Sequence, residues 1–153
     1  ANDLLFNAPS EFSSFNATYP ATNGVFHPTG GGATYSEAPA SVMQSNTPGV
    51  WHFNGKNEIQ DIGITDGTTT GADIVAFLTG VRQAVCESIH TKLGLSIAIP
   101  TFTGIDTTAD MNVTTPGIAA GGGTITDAIL DGQPQGCFKV GTDYVYYHVL
   151  VER

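Results

Sequence analysis

Basic side chains are almost missing from this chain. Lys56, Arg82, Lys92, Lys139 and Arg153 are all it has, and the net charge is −9. None precedes Lys56 and none lies between Lys92 and Lys139. Nucleic-acid binding requires a basic stripe that neutralises phosphates, so no nucleic-acid partner is expected. An anionic membrane surface is disfavoured by the same deficit. Charged residues of both signs make up only 12% of the chain, about half the usual quarter. Thr, Ser, Asn and Gly do the solubilising instead, as on secreted surfaces. No apolar run approaches the ~18 residues of a membrane span. Ala1 is not a start methionine and no signal peptide is visible. The expectation is a mature or truncated chain with a targeting or anchoring segment upstream.

Cysteine is equally scarce. Cys86 and Cys137 are too few and too far apart for a zinc site by themselves. They either pair in one disulfide, which suits the secreted-looking composition, or stay as two buried thiols. Also missing are a Gly-x-Ser-x-Gly nucleophile elbow and any pair of histidines at helical ligand spacing. His27, His52, His90 and His148 are scattered, and the plain reading for His52 and His148 is a packed or rim position on a strand.

What is present fits one domain, 1–153, long enough to bury a core. Residues 1–23 mix short apolar patches with Asn, Ser and Pro. Leu4-Leu5-Phe6 reads as the last turn of a helix begun upstream and ended by Pro9, or the stretch is a loosely docked tail. Gly30-Gly31-Gly32 lacks the Lys-Ser/Thr partner of a phosphate-binding loop and reads as a tight surface loop. Val50–Phe53 reads as a strand with Trp51 and Phe53 on one face, and Asn54-Gly55 as a turn into a second extended piece at Ile59, Ile62 and Ile64.

The longest periodic stretch is Thr70–Leu93. Ile74, Leu78, Val81, Val85, Ile89 and Leu93 recur at three or four residues, which predicts an amphipathic helix. Thr70 with Asp73 resembles a capping box, and Gly94 suits a left-handed C′ position. Gly80 weakens such a helix, so a close neighbour is expected there. Cys86 lies inside this helix, a poor place for a reactive thiolate. Leu95, Ile97 and Ile99 alternate and predict a short strand ending at Pro100. Thr101–Gly136 is irregular and Gly- and Thr-rich, the default partner-facing surface. Thr124–Leu130 within it reads as an extended segment or a short helical turn. Cys137–Val140, a Gly141-Thr142-Asp143 turn and Tyr144–Glu152 form a hairpin whose last strand is apolar on both faces, hence central.

Asp61 and Asp66 flank a Gly-rich turn, and Asp106, Asp110 and Asn112 cluster in a loop. These are weak calcium ligand candidates, since calcium takes oxygen ligands from acidic loops; none fits an EF-hand, and turn-forming Asp and Asn are the plainer reading. Asn16-Ala17-Thr18 and Asn112-Val113-Thr114 match the glycosylation triplet, which is common by chance in such a composition.

Several stretches together resemble the soluble head of bacterial prepilin-type proteins, the type IV pilin-like and pseudopilin subunits. They are Val25-Phe26-His27-Pro28 with Gly30-Gly31-Gly32, Val50-Trp51-His52-Phe53, Val85-Cys86, Lys92-Leu93-Gly94, Gly136-Cys137 and Tyr146–Arg153. The resemblance implies a structural or adhesive filament subunit, not an enzyme. It implies a cell-surface or periplasmic location and, as partners, other copies or homologous pilin subunits. It also implies contact with the membrane only through a missing N-terminal helix, of which 1–23 would be a remnant. In that family a disulfide often pins the C-terminal region. The family's Gly-Phe-Thr-Leu-x-Glu start and apolar helix are absent here, and a helix at Thr70–Leu93 is not part of the simplest such head.

The resulting expectation is an α+β head in which an antiparallel sheet packs on helix Thr70–Leu93, with Cys86 bonded to Cys137. Its core is expected to hold Trp51, Phe53, Ile74, Phe77, Leu78, Val81, Val85, Ile89, Leu93, Ile97, Phe138, Val140, Val145, Tyr147 and Val149. No cofactor is expected other than the calcium considered above. The rival expectation is a secreted calcium-dependent lectin-like or adhesin module. A secreted hydrolase, which would need His52 or His148 beside a carboxylate in a cleft, comes third.

Overall fold

A computed structural model describes residues 4–63, 73–105, 107 and 124–152. Six strands form one mixed sheet among them: β1 His52–Ile59, β2 Asp73–Val81, β3 Thr101–Phe102, β4 Thr124–Ile125, β5 Gln135–Val140 and β6 Asp143–Val151. The order across the sheet is β3-β5-β6-β2-β1-β4. The β1–β2, β2–β6 and β5–β6 pairs are antiparallel. The β1–β4 and β3–β5 pairs are parallel and two residues long. The sheet curls until it is nearly barrel-shaped. The one α-helix among the described residues, α1 Gln83–Leu93, lies against its outer face.

This overturns the α+β expectation. The molecule is mostly mixed sheet, and the stretch predicted as helix Thr70–Leu93 is divided: Asp73–Val81 is a strand near the centre of the sheet and only Gln83–Leu93 is helical. The proposed Thr70 cap lies outside the described residues. The physical reason is burial on both faces. Val75 and Phe77 point into the inner core, while Leu78 and Val81 meet the helix side. A strand covered on both sides reads as a near-continuous apolar run, which periodicity cannot separate from a buried helix. β-Branched and aromatic residues at Ile74, Val75, Phe77, Thr79 and Val81 favour the strand. Gly80 has φ +77° at a register shift between Thr79 and Val81. It serves a bulge that a residue with a side chain would strain.

Two smaller expectations also change. Asn54-Gly55 is not a turn: β1 runs through it, with a register shift between Asn54 and Asn57. Leu95–Ile99 is not a strand, although the Pro100 carbonyl accepts from the Lys139 N–H at 2.7 Å. Others hold. Gly94 takes φ +73° at the end of α1. Val140 pairs with Asp143 across a tight turn at Gly141, and β6 lies between β5 and β2. Thr124–Ile125 is extended and the chain then turns.

Two cores flank the sheet. The inner one gathers Ile59, Ile62, Val75, Phe77, Ile105, Ile125, Leu130, Phe138, Val145, Tyr147 and Val149. The outer one joins Ala38, Met43, Leu78, Val81, Cys86 and Cys137, with Trp51, Val85, Ile89, Tyr144 and Tyr146 packed against it. Leu93 and Ile97, both expected in the core, are 36% and 59% exposed, because the helix ends at Gly94 and the following segment runs along the surface.

The N-terminal segment is a docked layer. Neither a helix end nor a loose tail describes it. Leu5 is buried and bridges Gly24. Pro9 opens a 3-10 helix, Pro9–Ser14, where its missing N–H is not needed. The three glycines form the expected tight loop. Side chains at Gly30 and Gly31 would collide with the backbone of Ala21, Gly24 and Val25.

Candidate functional site

Cys86 and Cys137 form the expected disulfide, with Cα atoms 5.7 Å apart and both residues fully buried. It joins α1 to β5. One helical turn beyond Cys86, His90 completes the staple. Its Nε2 accepts from the Cys137 N–H at 2.8 Å, and its Nδ1–H donates to the Ser96 carbonyl at 2.6 Å. These partners fix the neutral Nδ1–H tautomer. The imidazole thus fills, on the β3 side of β5, a place that a carbonyl of a neighbouring strand would otherwise take. Sequence reasoning saw the cysteine pair and missed His90, because its partners lie far along the chain.

A second cluster lies where the N-terminal layer meets β1. Glu11 is 8% exposed. Its Oε2 accepts from Asn7 Nδ2 and from the Ala8 N–H, both at 3.1 Å. Its Oε1 lies 3.8 Å from His52 Nδ1, too far for a hydrogen bond. That Nδ1 is buried with no hydrogen-bond partner. Burial raises the Glu11 carboxyl above its ordinary range, against the opposing effect of the Ala8 and Asn7 bonds. Burial lowers His52. Both shifts favour the uncharged form. Beside the pair, the Tyr35 hydroxyl accepts from the Trp51 N–H at 3.0 Å. Phe6 and Phe26 pack against Phe53 and Tyr35 packs against Phe26, with ring centroids 5.4–6.5 Å apart. Glu11 gave one usable signal: Pro9 followed two residues later by an acid marks a helical start. Nothing in the spacing tied it to His52.

A third cluster is on the outer face. Tyr146 OH donates to Gln135 Oε1 at 2.8 Å and lies 3.3 Å from His148 Nδ1. The Trp51 ring stands edge-on to Tyr146 at 5.9 Å. His27 is apart from all of these. It packs against Phe12 and Phe15, and its Nδ1 accepts from the Thr29 N–H.

Of the calcium candidates only Asp61 lies within the described residues. Asp61 sits at φ +64° in a turn. The Gln60 carbonyl there accepts from the Gly132 N–H at 2.7 Å. Asp127 and Asp131, in the facing turn, bond the backbone of Ile129 and Asp127. Among the described residues no group of three or more His, Cys, Asp or Glu could hold a metal ion. Asp66, Asp106, Asp110 and Asn112 lie outside the described residues, as does the second glycosylation triplet. Asn16 of the first is exposed, and its Oδ1 caps the Thr18 and Tyr19 amides. No helix among the described residues is long and apolar enough to cross a membrane. No family model, curated protein or solved structure matches the chain.

Proposed function

We propose that this chain is an extracytoplasmic domain that acts by binding other macromolecules in a cell-surface assembly. It is the coarser half of the filament-subunit expectation. The antiparallel head on a long helix that the prepilin-type resemblance implies is not this fold, so the pilus and pseudopilus classes are not carried further. The observation that supports the reading is the Cys86–Cys137 bond, which links the helix to the sheet between two fully buried residues. Such structural disulfides persist in oxidising compartments and are rare in the cytosol of mesophiles. The acidic, Thr- and Gly-rich composition agrees with it.

The test is fractionation of the native source with an antiserum, followed by thiol alkylation without reductant and intact mass. The expected result is protein in the sheared surface or culture fraction with both thiols blocked by the disulfide. Cytosolic protein with two alkylated cysteines would overturn the reading.

A further inference from the structure

We propose that the end of α1 is an acid-released flap. A proton taken up by His90 lets the last turn of the helix and the segment after it lift from β5, while the Cys86–Cys137 bond keeps them tethered. Cys86 and His90 are the two buried residues of α1. They lie one turn apart and hold the helix to the same residue, Cys137, in different ways. The disulfide holds at any pH. The imidazole holds only while Nε2 keeps its lone pair.

The backbone partners leave the ring one protonation state. The Cys137 N–H can only donate and the Ser96 carbonyl can only accept. Both ring nitrogens are committed, at 2.8 Å and 2.6 Å, and only the neutral Nδ1–H form makes both bonds. A proton on Nε2 would set two N–H donors against each other at bonding distance. His90 is 0% exposed, so water cannot replace the lost bond. The closed form therefore has no place for an imidazolium, and the proton enters a form in which the ring has left β5. There the ring meets water and titrates in the ordinary imidazole range, about 6.5. The closed form is favoured fully above that range and loses ground as pH falls through it.

Little else holds this end of the helix. From Thr91 to Ala98 every residue except Leu95 is exposed. The apolar contacts of α1 with the outer core, through Val85 and Ile89, lie on the Cys86 side of His90. The next acceptor along the β5 edge is the Pro100 carbonyl, which takes the Lys139 N–H, and β3 beyond it is only two residues long. Release of His90 therefore frees the Cys137 N–H and uncovers an edge of β5 that a strand could pair with. The titratable groups on the elements around the ring are Glu87 and Lys92 of α1, Lys139 of β5, and Tyr144 and Tyr146 on the helix side of β6. Residues 94–100 and β3 carry none. Glu87, the only acid of these, accepts from Gln83 Nε2 one turn towards the start of the helix. Lys139 lies over the Tyr144 ring. Variants at Glu11 or His52 keep His90, so this acid step cancels when their pH profiles are compared with the wild type.

The experiment uses the chain with its disulfide intact. NMR follows the His90 ring nitrogens from about pH 7.5 to about pH 5, on either side of the ordinary imidazole range. In parallel, amide exchange at Cys137 is measured relative to Phe77 at the centre of the sheet, which cancels the intrinsic pH effect on exchange. The expected result is a neutral Nδ1–H ring and a constant exchange ratio above about 6.5. Below it the ratio should rise by up to about tenfold per unit of pH for a single proton. In His90→Gln the side-chain carbonyl can accept from the Cys137 N–H but takes no proton, so the ratio should stay flat. A flat ratio in the wild type, an imidazolium at His90 with the Cys137 amide still protected, or the same acid acceleration in His90→Gln overturns the proposal. If that variant fails to fold, the two wild-type signals decide alone.

Discussion

Phe77, Phe138 and Tyr147 lie inside the sheet with 0% exposure, each on a strand flanked by two others. Phe6 and Phe26 lie outside it, on a segment whose only ladder contact is the Leu5–Gly24 bridge, and both are half-buried. The ring distances are similar in the two places, 5.1–6.4 Å inside and 5.6–6.5 Å outside. What differs is everything around the rings. The inner rings are fixed by continuous hydrogen-bonded strands and by full removal from water. The outer ones depend on single features: a glycine that admits a backbone, a 3-10 turn, and one acid facing one histidine. The comparison teaches that equal aromatic contact does not mean equal stability. Local opening should begin in the layer and global unfolding in the sheet.

The largest test of this difference is Phe138→Ala. Loss of a fully buried ring costs about 3–5 kcal/mol. Urea unfolding should shift by that amount, and exchange should accelerate in the sheet and the layer together. Loss confined to the layer would reverse the comparison. Next is the staple. Cys86 and Cys137 enclose a separation of 51 residues. The chain-entropy model gives about 4 kcal/mol for such a loop, and measured disulfides usually contribute about 2–4. A Cys86→Ala and Cys137→Ala double variant should therefore remain folded or lie close to its midpoint, with α1 opening before β6. Calorimetry and exchange at His90 and Tyr147 would separate the two events.

The same contrast decides what the sequence made legible. Local chemistry was legible where it acts alone: the Gly141 turn, the central hairpin strand β6, Gly94 at the helix end, and the cysteine pair. The strand β2 was not. Ile74, Leu78 and Val81 happen to fall at helical spacing, while Val75 and Phe77 fill the opposite face, and a window that ignores the second face reports a helix. Gly80 carried the correcting signal, since a glycine inside an apolar run marks a bulge as readily as a weak helix position. Ile59, Ile125 and Leu130 were missed from the core because their burial comes from β1 and β4 pairing across distant segments. Glu11 and His52, like His90 and Cys137, meet only through tertiary packing, so no spacing rule could have joined them.

A narrower probe is Gly30→Ala. A Cβ there would stand 2.7 Å from the Ala21 carbonyl oxygen and closer still to that of Gly24, with backbone on both sides and no flexible side chain to yield. Forcing a methyl into such a site costs about 1–3 kcal/mol. The effect should be confined to the layer, with proteolysis between residues 4 and 35 accelerated and the sheet amides unchanged. Uniform acceleration would mean that the layer and the sheet form one cooperative unit.

The smallest expected effect is also the most specific. The Glu11 carboxyl is raised in the folded state, so its contribution to stability is full below its ordinary 4.5 and is lost as pH rises through the folded value. The His52 imidazole is lowered, so its contribution is full above its ordinary 6.5 and is lost as pH falls through the folded value. The two act in opposite directions, and the wild-type protein should show a shallow stability minimum between 4.5 and 6.5, where both contributions are partly lost. Glu11→Gln removes the fall on the acid side, leaving stability that rises with pH and levels above 6.5. His52→Gln removes the recovery on the alkaline side and leaves a decline that begins near 4.5. Chemical denaturation at half-unit steps of pH would trace all three curves. Loss of both limbs in either single variant would show that the two groups titrate as one unit and not independently.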